Sequence, residues 1–269
     1  MKQQSVFRTG KRIISVVLGL SVLVSCTKKS NVQPTPKKTV TLVSQIIQNQ
    51  SGAPGYGQPF ANFTYNGTQL TKSTINGTVT NFMYDSQGQL TGTTIAPGSE
   101  EKYITQSEVS SKVTYSGNAI STITFYQAGN VAHRTVGITY ADELVKQISD
   151  PNGYGITNYT YNSAGNLTQL YFIEYNVGLA DGYTNTRNTT SFDTHNNVTG
   201  ALPMWLYFTC YNLFDPAITV TPGKNNPIAS STAGDAFTYS YSYNSYGYPS
   251  AINGYSGDSY KYNYMQVSQ

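Results

Sequence analysis

Few residues in this chain of 269 residues can carry metal, redox or acid–base chemistry. It holds two cysteines, two histidines and one tryptophan, and only 11% of its residues are charged. Two cysteines exclude a framework of several disulfides. The sequence contains no phosphate-binding glycine loop, dinucleotide-binding fingerprint or Gly-x-Ser-x-Gly motif. We therefore predict no catalytic residues, no metal site and no cofactor.

Basic residues are also scarce outside the N-terminal region. The net charge is +3, but residues after position 38 hold 8 basic and 13 acidic side chains. Proteins that bind nucleic acids present a basic stripe or patch. The acidic balance of this part of the chain argues against a nucleic-acid partner.

The N-terminal residues indicate export. Four basic residues precede an apolar run from Ile13 to Val24, which is too short to span the ~20 residues of a membrane helix. The run ends in Leu23-Val24-Ser25-Cys26, which resembles the lipobox of bacterial lipoproteins. We predict a signal peptide at residues 1–25, lipid on Cys26, and a flexible tether at residues 26–38, so that the membrane is a partner through the lipid.

An internal repeat dominates the rest of the chain. Each copy has two aromatic or β-branched residues two positions apart, then Asp, Asn or another turn-forming residue, and in the closest copies a Gly three positions later and an apolar residue two beyond that. The three closest copies are Phe82–Leu90, Tyr159–Leu167 and Tyr241–Pro249, and the looser copies are Phe63–Gly67, Val113–Asn118, Ile138–Leu144 and Ser191–Val198.

This pattern predicts a β-hairpin for each copy. Residues two apart face the same side of a strand, Asp or Asn opens a turn, and Gly adopts the left-handed conformation that ends it. With an opening strand near Val40–Ile47 and a closing strand at residues 260–264, about 14–16 strands are expected. We predict a single all-β domain at residues 39–269, an antiparallel up-and-down meander forming a curled sheet or partly closed barrel.

The segment 201–216 departs from the repeat. It is bounded by Pro203 and Pro216 and contains Trp205. Its apolar residues predict one short helix near residues 203–213 that plugs or caps the sheet. The alternative is an aromatic platform for a ligand, for which the candidate binding residues are Trp205, Tyr207 and Tyr211. An exposed Trp205 side chain would favour the platform, and a buried one would favour the plug or cap.

The repeated units resemble the Tyr-x-Tyr-Asp-x-x-Gly-x-Leu pattern of RHS/YD-repeat proteins. Together with the lipobox and the Lys224–Pro227 segment, they resemble an uncharacterised family of bacteroidete outer-membrane lipoproteins with a curled, porin-like β fold. Lys28 and Lys29 stand where acidic residues are associated with export to the cell surface in such proteins, so both faces of the outer membrane stay open.

These features favour a non-catalytic, lipid-anchored envelope protein that binds a glycan or peptide or docks to other envelope proteins. Two other hypotheses remain open. One is a polysaccharide hydrolase that uses paired carboxylates, and the other is a carrier for a hydrophobic ligand inside the curled sheet.

Overall fold

The computed structural model describes residues 38–48, 57–96, 108–150, 155–174, 183–206, 222–254 and 259–269. These residues form 17 strands and one short 3-10 helix at Val198–Ala201. Residues Lys37–Gln269 make up one compact unit. The strands are β1 (Thr39–Gln48), β2 (Pro59–Asn66), β3 (Gln69–Ile75), β4 (Thr78–Tyr84), β5 (Leu90–Ala96), β6 (Glu108–Ser116), β7 (Ala119–Gln127), β8 (Val131–Ala141), β9 (Leu144–Asp150), β10 (Gly155–Tyr161), β11 (Leu167–Glu174), β12 (Tyr183–Asn196), β13 (Asn225–Thr232), β14 (Asp235–Thr238), β15 (Ser240–Tyr243), β16 (Pro249–Asn253) and β17 (Ser259–Ser268).

The strands form a nearly closed antiparallel barrel. Neighbours in the chain pair with each other, and β1 also pairs with β17, from Thr39 opposite Ser268 to Gln48 opposite Tyr260. The run of residues 235–243 is interrupted at Tyr239, so that β13 pairs with β14 while β16 pairs with β15. The predicted all-β meander is therefore confirmed. The interruption at Tyr239 is why the count exceeds the expected range by one.

The apolar face of each strand points into the barrel. In β15 and the residues before it, Tyr239 is buried, Tyr241 packs against the core and Tyr243 is half-buried, whereas Ser240 and Ser242 are exposed. This alternation follows directly from the period of two in a β-strand. The interior therefore forms one hydrophobic core, whose fully buried members include Val43, Ile46, Leu70, Leu90, Ile123, Phe125 and Ile252.

The three closest repeats form the same turn. In the first, the Asp85 carboxylate accepts hydrogen bonds from the backbone N–H groups of Gln87 and Gln89, both at 2.9 Å. Gly88 has φ 81°, the left-handed conformation that favours glycine. Asn162 and Asn244 accept the equivalent bonds in the other two repeats. The predicted hairpins and their turn chemistry are confirmed at these positions.

A β-bulge follows every one of these hairpin turns, and it was not predicted from the sequence. In the hairpin with its turn at Asp85, Tyr84 lies opposite Leu90 and Met83 lies opposite Gly92, which leaves Thr91 as the extra residue. The Thr91 hydroxyl donates to the Met83 carbonyl at 3.1 Å. Six hairpins of the repeat carry a bulge at this position, and the extra residue is a hydroxyl residue in five of them: Thr71, Thr91, Ser121, Thr168 and Ser250, with Lys146 in the sixth.

The hairpin predicted at Ser191–Val198 is wrong. Residues up to Asn196 continue β12, which pairs with β13 in a register broken three times between Thr189 and Asn196. The Asp193 carboxylate does accept the N–H of His195, as in a turn, but it also bonds β13, and these bonds hold the two strands together. Asp193, a residue type that commonly opens turns, here bonds two paired strands.

The two ends of the barrel differ. We call one the turn end, because it carries the turns at Asp85, Asn162 and Asn244 and the connection from β12 to β13. The start of β1 and the end of β17 also lie there, and the Gln269 N–H donates to the Lys38 carbonyl at 2.8 Å. The opposite end is called the far end. Among the described residues, no helix has the length and apolar character needed to cross a membrane.

Candidate functional site

Tyrosine hydroxyls line the inner wall at the turn end. The Tyr84 hydroxyl donates to the Leu70 carbonyl at 2.5 Å, and the Tyr115 hydroxyl donates to the Leu90 carbonyl at 3.0 Å. Leu70 is the second residue and Leu90 the first residue of the returning strand of the preceding hairpin, so each bond links one repeat to the one before it. Equivalent bonds join Tyr65 to Val43 at 2.9 Å, Tyr241 to Pro227 at 2.8 Å, and Tyr264 to Pro249 at 2.7 Å.

These tyrosines remain neutral. Burial raises the pKa of Tyr84 above its ordinary value, and the nearby Tyr115 raises it further. Burial likewise raises the pKa of Tyr65 and Tyr264. A buried hydroxyl that already donates to a carbonyl is a structural hydrogen bond rather than a proton donor for catalysis.

A segment that we call the plug, residues 197–206, lies against the inside of the barrel. The Asn197 side chain accepts the Thr199 N–H at 3.0 Å and so caps the 3-10 helix. This helix packs against β1. The plug buries four apolar side chains in the main core: Val198, Ala201, Leu202 and Leu206.

Trp205 lies within the plug and is partly buried. Its ring packs against Phe82 with a centroid distance of 4.8 Å and against the edge of Tyr84 at 6.4 Å. These contacts fit the plug interpretation of residues 201–206. Binding of a ligand by Trp205 stays a prediction. Tyr207, Tyr211 and most of the helix predicted near 203–213 lie outside the described residues, as does Cys26.

Asp193, beside the plug, has its carboxylate surrounded by donors. It accepts the N–H and the side-chain amide of Asn226 at 3.1 and 3.0 Å, the His195 N–H at 3.0 Å, and the Tyr243 hydroxyl. Burial and the Asp193 hydrogen bond raise the pKa of Tyr243. The His195 ring stacks on the Tyr243 ring with a centroid distance of 3.8 Å. Asp193 is therefore a structural acceptor.

The Lys224–Pro227 segment has an equally structural role. The Asn166 side chain accepts the Asn225 N–H at 2.8 Å and donates to the Asn225 side-chain oxygen at 3.1 Å. Asn225 also donates to the His195 carbonyl at 2.9 Å. These hydrogen bonds hold the start of β13 and the end of β12 against the turn between β10 and β11.

A buried ionic cluster that was not predicted from the sequence lies at the far end. Arg134 donates to both oxygens of Glu108, from Nε at 2.6 Å and from Nη2 at 3.0 Å, and from Nη1 to Asp150 at 2.6 Å. Its guanidinium also lies 3.9 Å from the centre of the Phe125 ring. His133 is 2.9 Å from Glu108 through Nδ1. All three charged side chains are at most 5% exposed.

The charges in this cluster stabilise one another. Burial alone would lower the pKa of Arg134, but hydrogen bonds and charge from Glu108 and Asp150 outweigh it, so the pKa is raised. One signal in the sequence could have found the cluster: Arg134 shares its strand face with Val136 and Ile138, which are both buried. Among the described residues, no three His, Cys, Asp or Glu side chains form a group that could hold a metal ion.

No family model and no curated protein matches the sequence. Solved structures similar to the chain include a porin-like protein from Bacteroides uniformis, with 13% identity, a TM-score of 0.43, and coverage of 86% of this chain and 98% of that one. A porin-like protein from Bacteroides vulgatus has 12% identity, a TM-score of 0.40, and coverage of 84% and 99%. The Tc holotoxin pore of Photorhabdus luminescens has 13% identity and a TM-score of 0.23, over 82% of this chain and 11% of that one. Likeness to porin-like proteins was expected, whereas membership of a lipoprotein family stays a prediction.

Proposed function

We propose that this chain is a non-catalytic protein of the cell envelope, attached to the outer membrane by lipid on Cys26. In this proposal the barrel stands in water and acts as a binding or structural module rather than as a membrane pore. The observation that carries the proposal is the polarity of the barrel wall, which is apolar inside and polar outside.

The outer wall is lined by uncharged polar side chains that bond across neighbouring strands. Gln45 donates to Asn62 at 2.8 Å, Gln147 donates to Asn158 at 2.8 Å, and Gln169 donates to Asn188 at 2.9 Å. These pairs join β1 to β2, β9 to β10, and β11 to β12. A membrane-spanning barrel presents the reverse pattern, with an apolar band outside and a polar interior.

The interior is occupied by side chains rather than left as a conduit. Leu206 of the plug is fully buried and Trp205 packs on Phe82 inside the wall. An interior filled in this way suits a rigid scaffold, because tightly packed side chains deform little. It also argues against the hydrophobic-carrier hypothesis, which needs free space in the interior.

In the part of the chain that the structure describes, three inward-facing carboxylates are already committed to other groups. Glu108 and Asp150 pair with Arg134, and Asp193 accepts hydrogen bonds from β13 and from Tyr243. A glycosidase requires two carboxyl groups that face each other across a substrate cleft. This geometry supports the non-catalytic proposal over the hydrolase hypothesis.

Cell fractionation tests the attachment. The natural chain is expected in the membrane fraction, and the Cys26→Ser variant is expected to lose its lipid and move to the soluble fraction. Cys210→Ser is the matched control, since it removes the only other cysteine. Membrane attachment that survives Cys26→Ser would contradict the proposal.

Binding is tested with the soluble Cys26→Ser chain and the intrinsic emission of Trp205, the only tryptophan. Plant, mucin and bacterial polysaccharides are titrated while emission and melting temperature are recorded. A saturable emission change with a raised melting temperature supports glycan binding near the plug. Emission that ignores every polysaccharide favours the structural or protein-docking version.

A further inference from the structure

The position of the barrel termini determines which end of the barrel is nearest to a lipid anchor. Lys38 and Gln269 both lie at the turn end, where Thr39 pairs with Ser268. A chain that leaves Lys38 toward the N-terminus therefore starts from the turn end. This argument rests on the proposed function, because it requires lipid on Cys26.

The tether, when fully extended, is only a little longer than the barrel. Residues 27–37 can span at most roughly 35–40 Å when fully extended. A strand such as β1, with 10 residues, adds about 30 Å between the turn end and the far end. The turn end can therefore touch the membrane with a relaxed tether, whereas contact by the far end requires the tether to stretch along most of the barrel.

Exposed apolar side chains are also found at the turn end. Met83 is 43% exposed, Met204 is 37% exposed, and Tyr246 is 54% exposed. Met83 lies next to the turn at Asp85, Met204 precedes Trp205 in the plug, and Tyr246 is in the turn that follows Asn244.

Contacts connect these three positions. Trp205, beside Met204, packs on Phe82 and Tyr84, the residues that flank Met83. On the other side of the plug, a Cβ placed on Gly200 would be 3.7 Å from the ring of Tyr248, which belongs to the same turn as Tyr246. The three positions therefore lie at one rim of the barrel, where Met83 faces outward from β4, opposite to Phe82 and Tyr84.

We propose that the turn end is a membrane-contacting surface, with Met83, Met204 and Tyr246 resting in the interfacial region of a phospholipid bilayer. Tyrosine suits this region because its ring is apolar and its hydroxyl can remain in water. The turns at this end also carry Asp85, Asp142 and Glu143. Lys38, Lys146 and Lys224 also lie at this end and balance these acids, so the contact is apolar and depends little on salt or on anionic headgroups.

The test compares labels at the two ends of the lipidated protein. In a Cys210→Ser background, Tyr246→Cys and Val131→Cys are labelled with an environment-sensitive fluorophore and reconstituted into phosphatidylcholine vesicles. Val131 is the matched control, because it is 58% exposed and begins β8 at the far end. We expect at least a twofold rise in emission at position 246 on adding vesicles, unchanged between 0.1 and 1 M salt, and no rise at position 131.

Co-sedimentation with the vesicles separates the two proposals. If the labelled protein sediments with vesicles but position 246 does not respond, or position 131 responds equally, the orientation is overturned while the lipid anchor stands. If the protein carries no lipid and does not sediment, the anchor and the orientation both fail. A response at position 246 that needs anionic lipid would overturn the apolar contact.

Discussion

The two ends of the barrel are held together by different chemistry. At the turn end, neutral tyrosine hydroxyls bond backbone carbonyls, and the same bond recurs from repeat to repeat, as in Tyr84 to Leu70 and Tyr115 to Leu90. At the far end, one buried cluster of Glu108, Arg134 and Asp150 joins β6, β8 and β9. The difference shows that a repeat can specify one end many times over while the other end depends on a few single residues.

This contrast predicts a difference in robustness. Loss of one repeated neutral bond removes a small part of a distributed network, and such a bond contributes about 0.5–1.5 kcal/mol. Removal of one partner from a buried ion pair leaves a charge without compensation. Single substitutions should therefore be far more damaging in the far-end cluster than in the tyrosine network.

The largest effect is expected for Glu108→Gln. The substitution keeps the shape of the side chain but removes the charge that meets Arg134 through two hydrogen bonds. We expect a loss of about 3–5 kcal/mol in the free energy of unfolding, measured by urea denaturation. Glu143→Gln is the control, because Glu143 is an exposed turn residue. An equal, small effect of both substitutions would contradict a structural role for the cluster.

The contribution of the plug can be measured with Leu206→Ala. Leu206 is fully buried, so truncation should leave a cavity and cost about 2–5 kcal/mol. Met204→Ala, two positions earlier and 37% exposed, should cost much less. Comparable melting temperatures for the two variants would show that the plug does not belong to the cooperative core.

The sequence was informative where a residue type has a local physical role. Asp85, Asn162 and Asn244 open turns because their side chains accept nearby N–H groups, and this preference can be read without knowledge of the fold. The alternation at residues 237–243 likewise places the aromatic residues on one strand face and the hydroxyl residues on the other. The pairing of consecutive strands then followed from the hairpins, whereas the pairing of β1 with β17 that closes the ring did not.

The sequence was uninformative where partners are distant or depend on register. Glu108 and Arg134 are 26 positions apart, and nothing local indicates that they meet. The bulge in each returning strand depends on the register with the strand opposite, as where Tyr84 pairs with Leu90, so it could not be predicted from either strand alone. Asp193 misled because the residue type that opens turns also bonds a neighbouring strand through the same oxygens.

Gly92 tests one of these register-dependent features. A Cβ at this position would lie 2.2 Å from the Ser111 carbonyl oxygen, so the backbones of β5 and β6 approach closely there. Gly92→Ala must push the strands apart, and we expect a loss of about 1–3 kcal/mol. Gly137→Ala is the matched control, because its Cβ would meet Ser149 at an ordinary 3.9 Å. Equal urea denaturation midpoints for the two variants would mean that the backbones of β5 and β6 leave room for a methyl group at position 92.

The smallest effect is expected for Tyr84→Phe, and its dependence on pH tests the neutral network directly. At neutral pH the variant loses the hydrogen bond to the Leu70 carbonyl, which should cost about 0.5–1.5 kcal/mol. Tyr246→Phe is the control, since that side chain is 54% exposed.

The difference between natural chain and variant should shrink as the solution becomes alkaline. Burial raises the pKa of Tyr84 in the folded state, so its stabilising effect is complete below the unfolded value of about 10 and falls as the pH rises beyond it. The Phe variant has no hydroxyl to ionise and escapes this loss. Urea denaturation at pH 7 and at pH 10.5–11 should therefore show the two chains converging. A gap that is constant across this range would mean that the Tyr84 hydroxyl ionises as readily in the folded protein as in the unfolded chain.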